Sequence, residues 1–315
     1  MMEFFIKSII YILVLAGIAG YLTYFERKFL AYFQDRIGPN RAGPRGLLQP
    51  IADTIKLFFK EDITPRRVSS KTLYFLAPIL TATFGLAPFF LIPLSPEGPF
   101  PDIDLGILLI LVLSSFSLYG VIFGGFSSAS KYSVIGGIRG TLMLFSFETS
   151  LIIIILSIVY QAGTFSLRGI VEAQKVPFIF PQFIGFFIFM IIGFMETKRL
   201  PFDIPEAESE LTGGFHTEYS SLKFAFFFLG EYLHVLLTSS LIVTFYLAGW
   251  KLWILPPFIG FIVKLILFVF LFIWVRASLP RFRFTDALEI GWKILLPLSL
   301  LNFFITVLWV YLKGW

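Results

Sequence analysis

The chain has 315 residues, 57% of them hydrophobic and 14% charged, with a mean hydropathy of +0.86 and a formal net charge of +5. Such values lie outside the soluble globular range and point to a polytopic membrane protein. With no cysteine and only two histidines, His216 and His234, the chain has no thiolate for an iron–sulfur or zinc site and few ligands for haem, so if it takes part in redox chemistry the metal centres are expected in other subunits.

Hydrophobic runs of spanning length fall near residues 4–25, 72–94, 105–123, 141–160, 178–195, 224–248, 252–275 and 290–312. At about 1.5 Å per residue each crosses a hydrocarbon core of about 30 Å, so the expectation is an all-α membrane protein with eight transmembrane helices. No period-2 pattern suggests a barrel. The first run resembles a signal peptide in composition. Its spanning length, and a leading end that holds only Lys7 beside Glu3, favour a retained span.

Loop charges orient the molecule. The alternate loops 26–71, 124–140, 196–223 and 276–293 hold nineteen of the 25 Lys and Arg residues. The positive-inside rule puts these loops in the cytoplasm and both termini outside, most simply in a bacterial inner membrane. No internal repeat or soluble segment is visible, so residues 1–315 are read as one polytopic membrane domain.

The first loop contains GPNRAGPRG, residues 38–46, which is too rich in breakers for regular helix. After Pro50 the pattern becomes amphipathic. Leu48, Ile51, Ile55, Phe58 and Phe59 share one face, and Asp53, Lys56 and Lys60 another. This predicts a helix lying at the membrane interface, either a plain anchor or the floor of a site for an amphiphilic ligand. Arg27, Arg36, Arg41 and Arg45 would line its polar end.

The third of these loops reads LPFDIPEAESELTGGFHTEY over residues 200–219. Between 196 and 218 it gathers Glu196, Asp203, Glu206, Glu208, Glu210 and Glu218 from a chain that has only 20 acidic residues. Asp203 is expected to cap a short helix with Pro205 in its first turn, and Gly213–Gly214 to stop it. On that helix Glu206 and Glu210 would share a face. Interleaved Phe202, Ile204, Leu211 and Phe215 suggest a segment packed into protein rather than a solvated acidic run.

Three charges fall inside apolar runs: Glu148, Glu231 and Lys264. Intramembrane charges cost several kcal/mol unless paired or hydrated, which makes them functional candidates. A structural pair of Lys264 with Glu231 or Glu148 is the plainer alternative. His234, one turn beyond Glu231, reads first as a packing residue. Acid at the cytoplasmic end of a bundle, continuing inward through Glu218, Glu231, Glu148 and Lys264, resembles the mouth of a hydrated proton path.

ERKFLAYFQDRIGPNRAGPRGLLQPIADTIKLFFKED (26–62), ETKRLPFDIPEAESELTGGFHTEYSSLKFAFFFLGEY (196–232) and WVRASLPRFRF (274–284) together resemble the membrane subunit family called subunit 1 of proton-pumping NADH:quinone oxidoreductase, respiratory complex I. The resemblance covers nearly the whole chain. In the loop at 124–140 it keeps KY, GG-R and SFE landmarks but lacks the family's paired asparagines before Lys131. TDALEIGW (285–292) departs from the family's Asp-Gln-Leu-Met pattern.

The resemblance implies a subunit between the hydrophilic redox arm and the pumping membrane arm, with quinone as substrate and no metal or flavin of its own. It implies iron–sulfur subunits docked at the cytoplasmic loops, and antiporter-like and small membrane subunits beside it. Carried over by position, Arg27, Arg36, Asp53, Thr54, Lys56 and Arg199 would border the quinone chamber. Glu196, Glu206, Glu208, Glu210 and Glu218 would link it to the membrane interior, with Glu148 and Glu231 continuing the path and Lys264 joining it. Arg276 and Arg281 would support the loops. No residue is expected to catalyse on its own, and no independent activity is expected. The alternative is the homologous subunit of a membrane-bound hydrogenase or formate-linked complex, which has no quinone site; the full first-loop motif favours the quinone form. A stand-alone transporter would predict internal repeats, and none is seen.

Overall fold

The structure, a computed structural model, describes residues 2–98, 100–252 and 254–313, the side chains at 2, 4, 208, 209 and 313 excepted. The described residues are helical and contain no strand. Helix α1 spans Met2–Phe33. A short loop leads to α2, Gln49–Phe59, followed by α3, Lys71–Leu86, and α4, Gly106–Ser127. The long α5 runs Lys131–Ala162, and the short α6 Leu167–Ala173. Next come α7, Phe183–Glu196, and the single turn α8, Glu208–Leu211. The last elements are α9, Ser221–Tyr246, α10, Pro257–Ser278, α11, Phe284–Glu289, and α12, Leu296–Lys313. A π-helical stretch, Ile290–Leu295, joins the last two.

Seven described helices are long and apolar enough to cross a membrane. The run expected at 178–195 forms the shorter apolar helix α7, of 14 residues. Two expected loops prove mostly helical. Residues 124–140 belong to α4 and α5 apart from 128–130, and 276–293 is helical apart from 279–283. Both fall between apolar runs of spanning length, which is why loops are expected there. Gly136 admits another segment: a Cβ there would stand 2.7 Å from the Phe215 amide nitrogen. The first loop also starts later than expected, because α1 continues to Phe33 and carries Glu26 and Arg27 within helix.

Helix α9 is the hub. Buried positions make up 83% of its most apolar window, against 17% for α1, which places α9 inside the bundle and α1 at its edge. Small residues allow the close approach. At Gly230 an added methyl would stand 2.5 Å from the Thr81 methyl, so α3 and α9 pack backbone to backbone there. The apolar residues of α2, including Ile51, Ile55 and Phe58, point outward and are exposed. Its end is tied to the start of α9 by Ser221 Oγ donating to the Leu57 carbonyl at 3.0 Å and by Lys223 with Asp62 at 3.0 Å.

Candidate functional site

The acidic segment does not form the helix expected of it. Only Glu208–Leu211 is α-helical, preceded by Ala207 at φ +20° and followed by Thr212 at φ +62°, with a 3-10 turn at Gly214–His216. Asp203 caps nothing with its side chain. Its carboxylate accepts from Arg281 at 2.8 Å, and Phe282 N donates to the Pro201 carbonyl at 3.0 Å, so the loop after α10 is pinned to the segment. A charged partner outcompetes a backbone amide for a carboxylate that is largely withdrawn from water. Burial lifts the Asp203 carboxyl from 3.8 to about 6, with Arg281 pulling the other way.

Glu206 and Glu210 part company rather than sharing a face. Glu210 is exposed and pairs with Arg139 of α5 at 2.5 Å. Glu206 turns into the bundle, hydrogen-bonds the Glu231 carboxyl, and has His216 Nε2 at 3.7 Å. Two carboxyls can share a hydrogen bond only if one keeps its proton. Burial raises Glu206 above the ordinary carboxylate range, and the bond from Glu231 offsets this in part. The Glu208 side chain lies outside the described residues. Glu218 contributes its carbonyl, which accepts from Tyr74 OH at 2.8 Å, and its side chain is half-buried.

Two basic residues complete this pocket of charge. Lys198 is buried at φ +50°, within electrostatic reach of Glu231, Glu206 and Glu196; burial lowers its ammonium and those acids pull it back up. Arg199 places its guanidinium 4.3 Å from the centroid of Tyr232 and donates to both oxygens of Glu26, at 3.0 and 3.1 Å. Arg276 of α10 meets the same Glu26 carboxylate. Glu26 is thus a buried anion between two guanidinium groups, tying α1, the acidic segment and α10 together. A cation over an aromatic face and a shared carboxylate offset the desolvation of Arg199.

Deeper in, Glu196 closes α7 and is buried, with His234 Nδ1 at 3.8 Å. Glu148 of α5 is near enough for its charge to act on Glu196, and accepts from Ser115 Oγ at 2.5 Å. The structure therefore brings together Glu196, Lys198, Arg199, Glu206 and Glu231, with Glu148 beyond them. Lys264 is not among them. Its ammonium donates to the carbonyls of Leu247, Gly249 and Lys251 at 2.7, 2.9 and 2.8 Å, capping the turn after α9. Leu247 lies sixteen positions past Glu231, about 24 Å along a helix at 1.5 Å per residue. The expected pair of Lys264 with Glu231 or Glu148 is therefore not formed, because three carbonyls satisfy the ammonium locally.

The first-loop residues form a second, more open group. Arg27 NH1 meets Asp53 Oδ2 at 2.8 Å, and Gln49 donates to Asp53 Oδ1 at 2.9 Å. Thr54 bonds back to the Pro50 carbonyl at 2.8 Å, while Arg36 and Lys56 are exposed. Lys28 holds the Pro39 carbonyl at 3.1 Å and Tyr24 the Arg45 carbonyl at 2.8 Å, which fixes the breaker-rich stretch against α1.

Sequence reasoning missed Glu26, Lys198 and Tyr232 as members of the charged core. Lys198 had a signal in its position between Glu196 and Arg199. Glu26 sits at the end of an apolar run, where a charge ordinarily marks only a membrane boundary.

The chain matches the family model described as NADH dehydrogenase over residues 6–307. It is 45% identical to the NADH-quinone oxidoreductase H subunit 2 of Syntrophobacter fumaroxidans, an alignment covering 98% of this chain and 96% of that protein. Against the corresponding H subunit 2 of Geobacter sulfurreducens the identity is 47%, covering 95% and 93%. Against the H subunit 1 of Geobacter metallireducens it is 45%, with the same coverage. With a family model spanning most of its length and relatives this similar along nearly all of theirs, the chain belongs to the NADH dehydrogenase family, the family of complex I subunit 1.

Proposed function

We propose that this chain is the quinone-chamber and proton-coupling membrane subunit of an NADH-quinone oxidoreductase. The observation that carries the reading is the buried group Glu196, Lys198 and Glu231 with half-buried Glu206 at one end of the helix bundle, continued by Glu148. Titratable groups of both signs, excluded from water and in mutual reach, can exchange protons when a nearby charge or ligand moves. The relatives' names carry quinone as the acceptor, which supports this reading over the hydrogenase-type alternative.

In this reading the chain is a single domain of eight spans with α7 as the shortest. Helix α2 lies in the interface with its apolar residues toward lipid. Arg27, Asp53 and Gln49, with Thr54 on the next turn, border the quinone entrance, and Arg36, Lys56 and Arg199 complete its polar rim. Reduction or movement of the quinone alters charge near Asp203 and Glu206. The change passes to Glu231, Glu196 and Glu148, toward antiporter-like neighbours. Glu208, Glu210 and Glu218 serve at the mouth of this path. Lys264 stands apart as the cap of the turn after α9. Iron–sulfur subunits dock on the ends of α1, α5 and α10, facing the cytoplasm of a bacterial cell, with both termini on the other side. The chain supplies no metal or flavin and no activity alone.

The test is capture of the chain from native membrane in mild detergent, with its partners identified by mass spectrometry. Co-purifying flavin, iron–sulfur and antiporter-like subunits are expected. Recovery with a nickel–iron subunit, or of the chain alone and monodisperse, would overturn the reading.

A further inference from the structure

His234 is a buried titratable group that the path above does not use, and its contacts bear on which ring nitrogen is bare. Nε2 lies 2.8 Å from Ser117 Oγ of α4. Ser117 Oγ also lies 3.0 Å from the Thr81 carbonyl of α3, an acceptor that can take its one proton. With that proton on the Thr81 carbonyl, Ser117 accepts from the ring and Nε2 carries the hydrogen, the tautomer on which the relay is built. Nδ1 is then an unprotonated acceptor. It is buried with no hydrogen-bond partner, and the nearest acid is Glu196 Oε1 at 3.8 Å.

The ring also stands in the right place. Glu231 and His234 are three residues apart on α9 and share one face of that helix. Glu231 holds Glu206, while Glu196 is in electrostatic reach of Glu148. Among the described residues no hydrogen bond joins these two acid pairs, and His234 has Glu196 at 3.8 Å and Glu231 one turn back on its own helix. The charged groups that act on it are Glu196 from α7 and Lys198 from the segment after α7, with Glu231 three residues earlier on its own helix.

We propose that His234 is the proton relay between the Glu206–Glu231 pair and the Glu196–Glu148 pair, taking a proton at Nδ1 while Ser117 fixes the ring through Nε2. The step is a simple transfer. The O–H bond of protonated Glu196 breaks, an N–H bond forms at Nδ1, and a neutral acid–imidazole pair becomes carboxylate and imidazolium. It requires the two atoms to close by about 0.6 Å to hydrogen-bond distance, or one bridging water. Lys198 opposes a second positive charge beside it, so the imidazolium is a passing state that resolves toward whichever acid is empty.

The inference rests on the proton-coupling reading, so its test carries a control. Sealed vesicles containing the intact complex are assayed for protons moved per quinone reduced and for the KM for quinone. The variants are His234→Gln, which can still donate to Ser117 but cannot carry a proton, and Glu231→Gln. The relay predicts that His234→Gln assembles, keeps its KM within about twofold, and loses at least half of its protons per quinone, a deficit that imidazole reduces in His234→Ala. Loss of pumping in Glu231→Gln with normal pumping in His234→Gln would overturn the relay and leave the acid path standing. Normal pumping in both would overturn the path itself, and the relay with it. If His234→Gln fails to assemble, Ser117→Ala asks the same question with the imidazole in place: a reduced ratio supports the relay, and an unchanged one overturns it.

Discussion

Arg199 donates to both carboxylate oxygens of Glu26, at 3.0 and 3.1 Å, across 173 positions of sequence. That contact is what seats the acidic segment. It joins the edge helix α1 to the residue that begins the turn toward Asp203 and Glu206, and Arg276 locks the same carboxylate to α10. Removing the anion strands the buried guanidinium of Arg199 and the half-buried one of Arg276. Breaking a buried pair from one side costs about 3–5 kcal/mol. Glu26→Gln is therefore expected to lower thermal stability in detergent and to reduce the amount of assembled complex, read by native gel. Arg199→Lys should be nearly as damaging, since lysine supplies neither the planar fork nor the stack on Tyr232.

Asp203 gives a pH dependence of defined sign. Its carboxyl rises from 3.8 to about 6 on folding, so between those values the folded chain binds more protons than the unfolded one. Its contribution to stability is present below about pH 4 and is lost as pH rises toward 6, at up to about 1.4 kcal/mol per pH unit. Asp203→Asn should flatten that part of the profile of unfolding temperature against pH. A parallel, merely displaced profile would show that other groups set it.

The helices were legible in the sequence because each is a long apolar run, and Glu148 and Glu231 were legible because charge inside such a run is conspicuous. Helix ends were not. Gly136 and Gly137 lie in a stretch whose sequence reads as a loop and are helical, since their value lies in letting another segment close in. Asp203 looked like a cap, but its partner Arg281 is 78 positions away and invisible to local pattern. The same applies to Glu26 and Lys198, whose roles come entirely from what the fold places against them. Lys264 was conspicuous for the same reason as Glu231, yet its partners are carbonyls, which every residue carries and which leave no trace in sequence.

Lys264 separates structural from coupling roles. Lys264→Met leaves the carbonyls of Leu247, Gly249 and Lys251 without their shared donor, at an expected cost of about 2–4 kcal/mol. The unfolding temperature should fall while protons moved per quinone reduced stays unchanged in the complex that assembles. A lowered ratio at native stability would return Lys264 to the proton path.

At the proposed quinone rim, Asp53→Asn removes the carboxylate that orients Arg27, and Arg36→Ala removes an exposed cation of the first loop. Each is expected to reduce quinone reductase activity about tenfold, or about 1.4 kcal/mol, while electron transfer to an artificial acceptor persists. Normal quinone turnover in both variants would remove these residues from the chamber.

The most direct test of the central claim is the number of protons moved per quinone reduced by Glu231→Gln in sealed vesicles, against the unaltered complex at matched assembly. Glu231 sits where the acidic segment enters the bundle, bonded to Glu206 and within reach of Lys198 and Arg199. The account predicts that the ratio falls by at least half while the complex remains intact. An unchanged ratio in an intact complex would contradict it, leaving the buried charges as a structural device that holds the acidic segment in place.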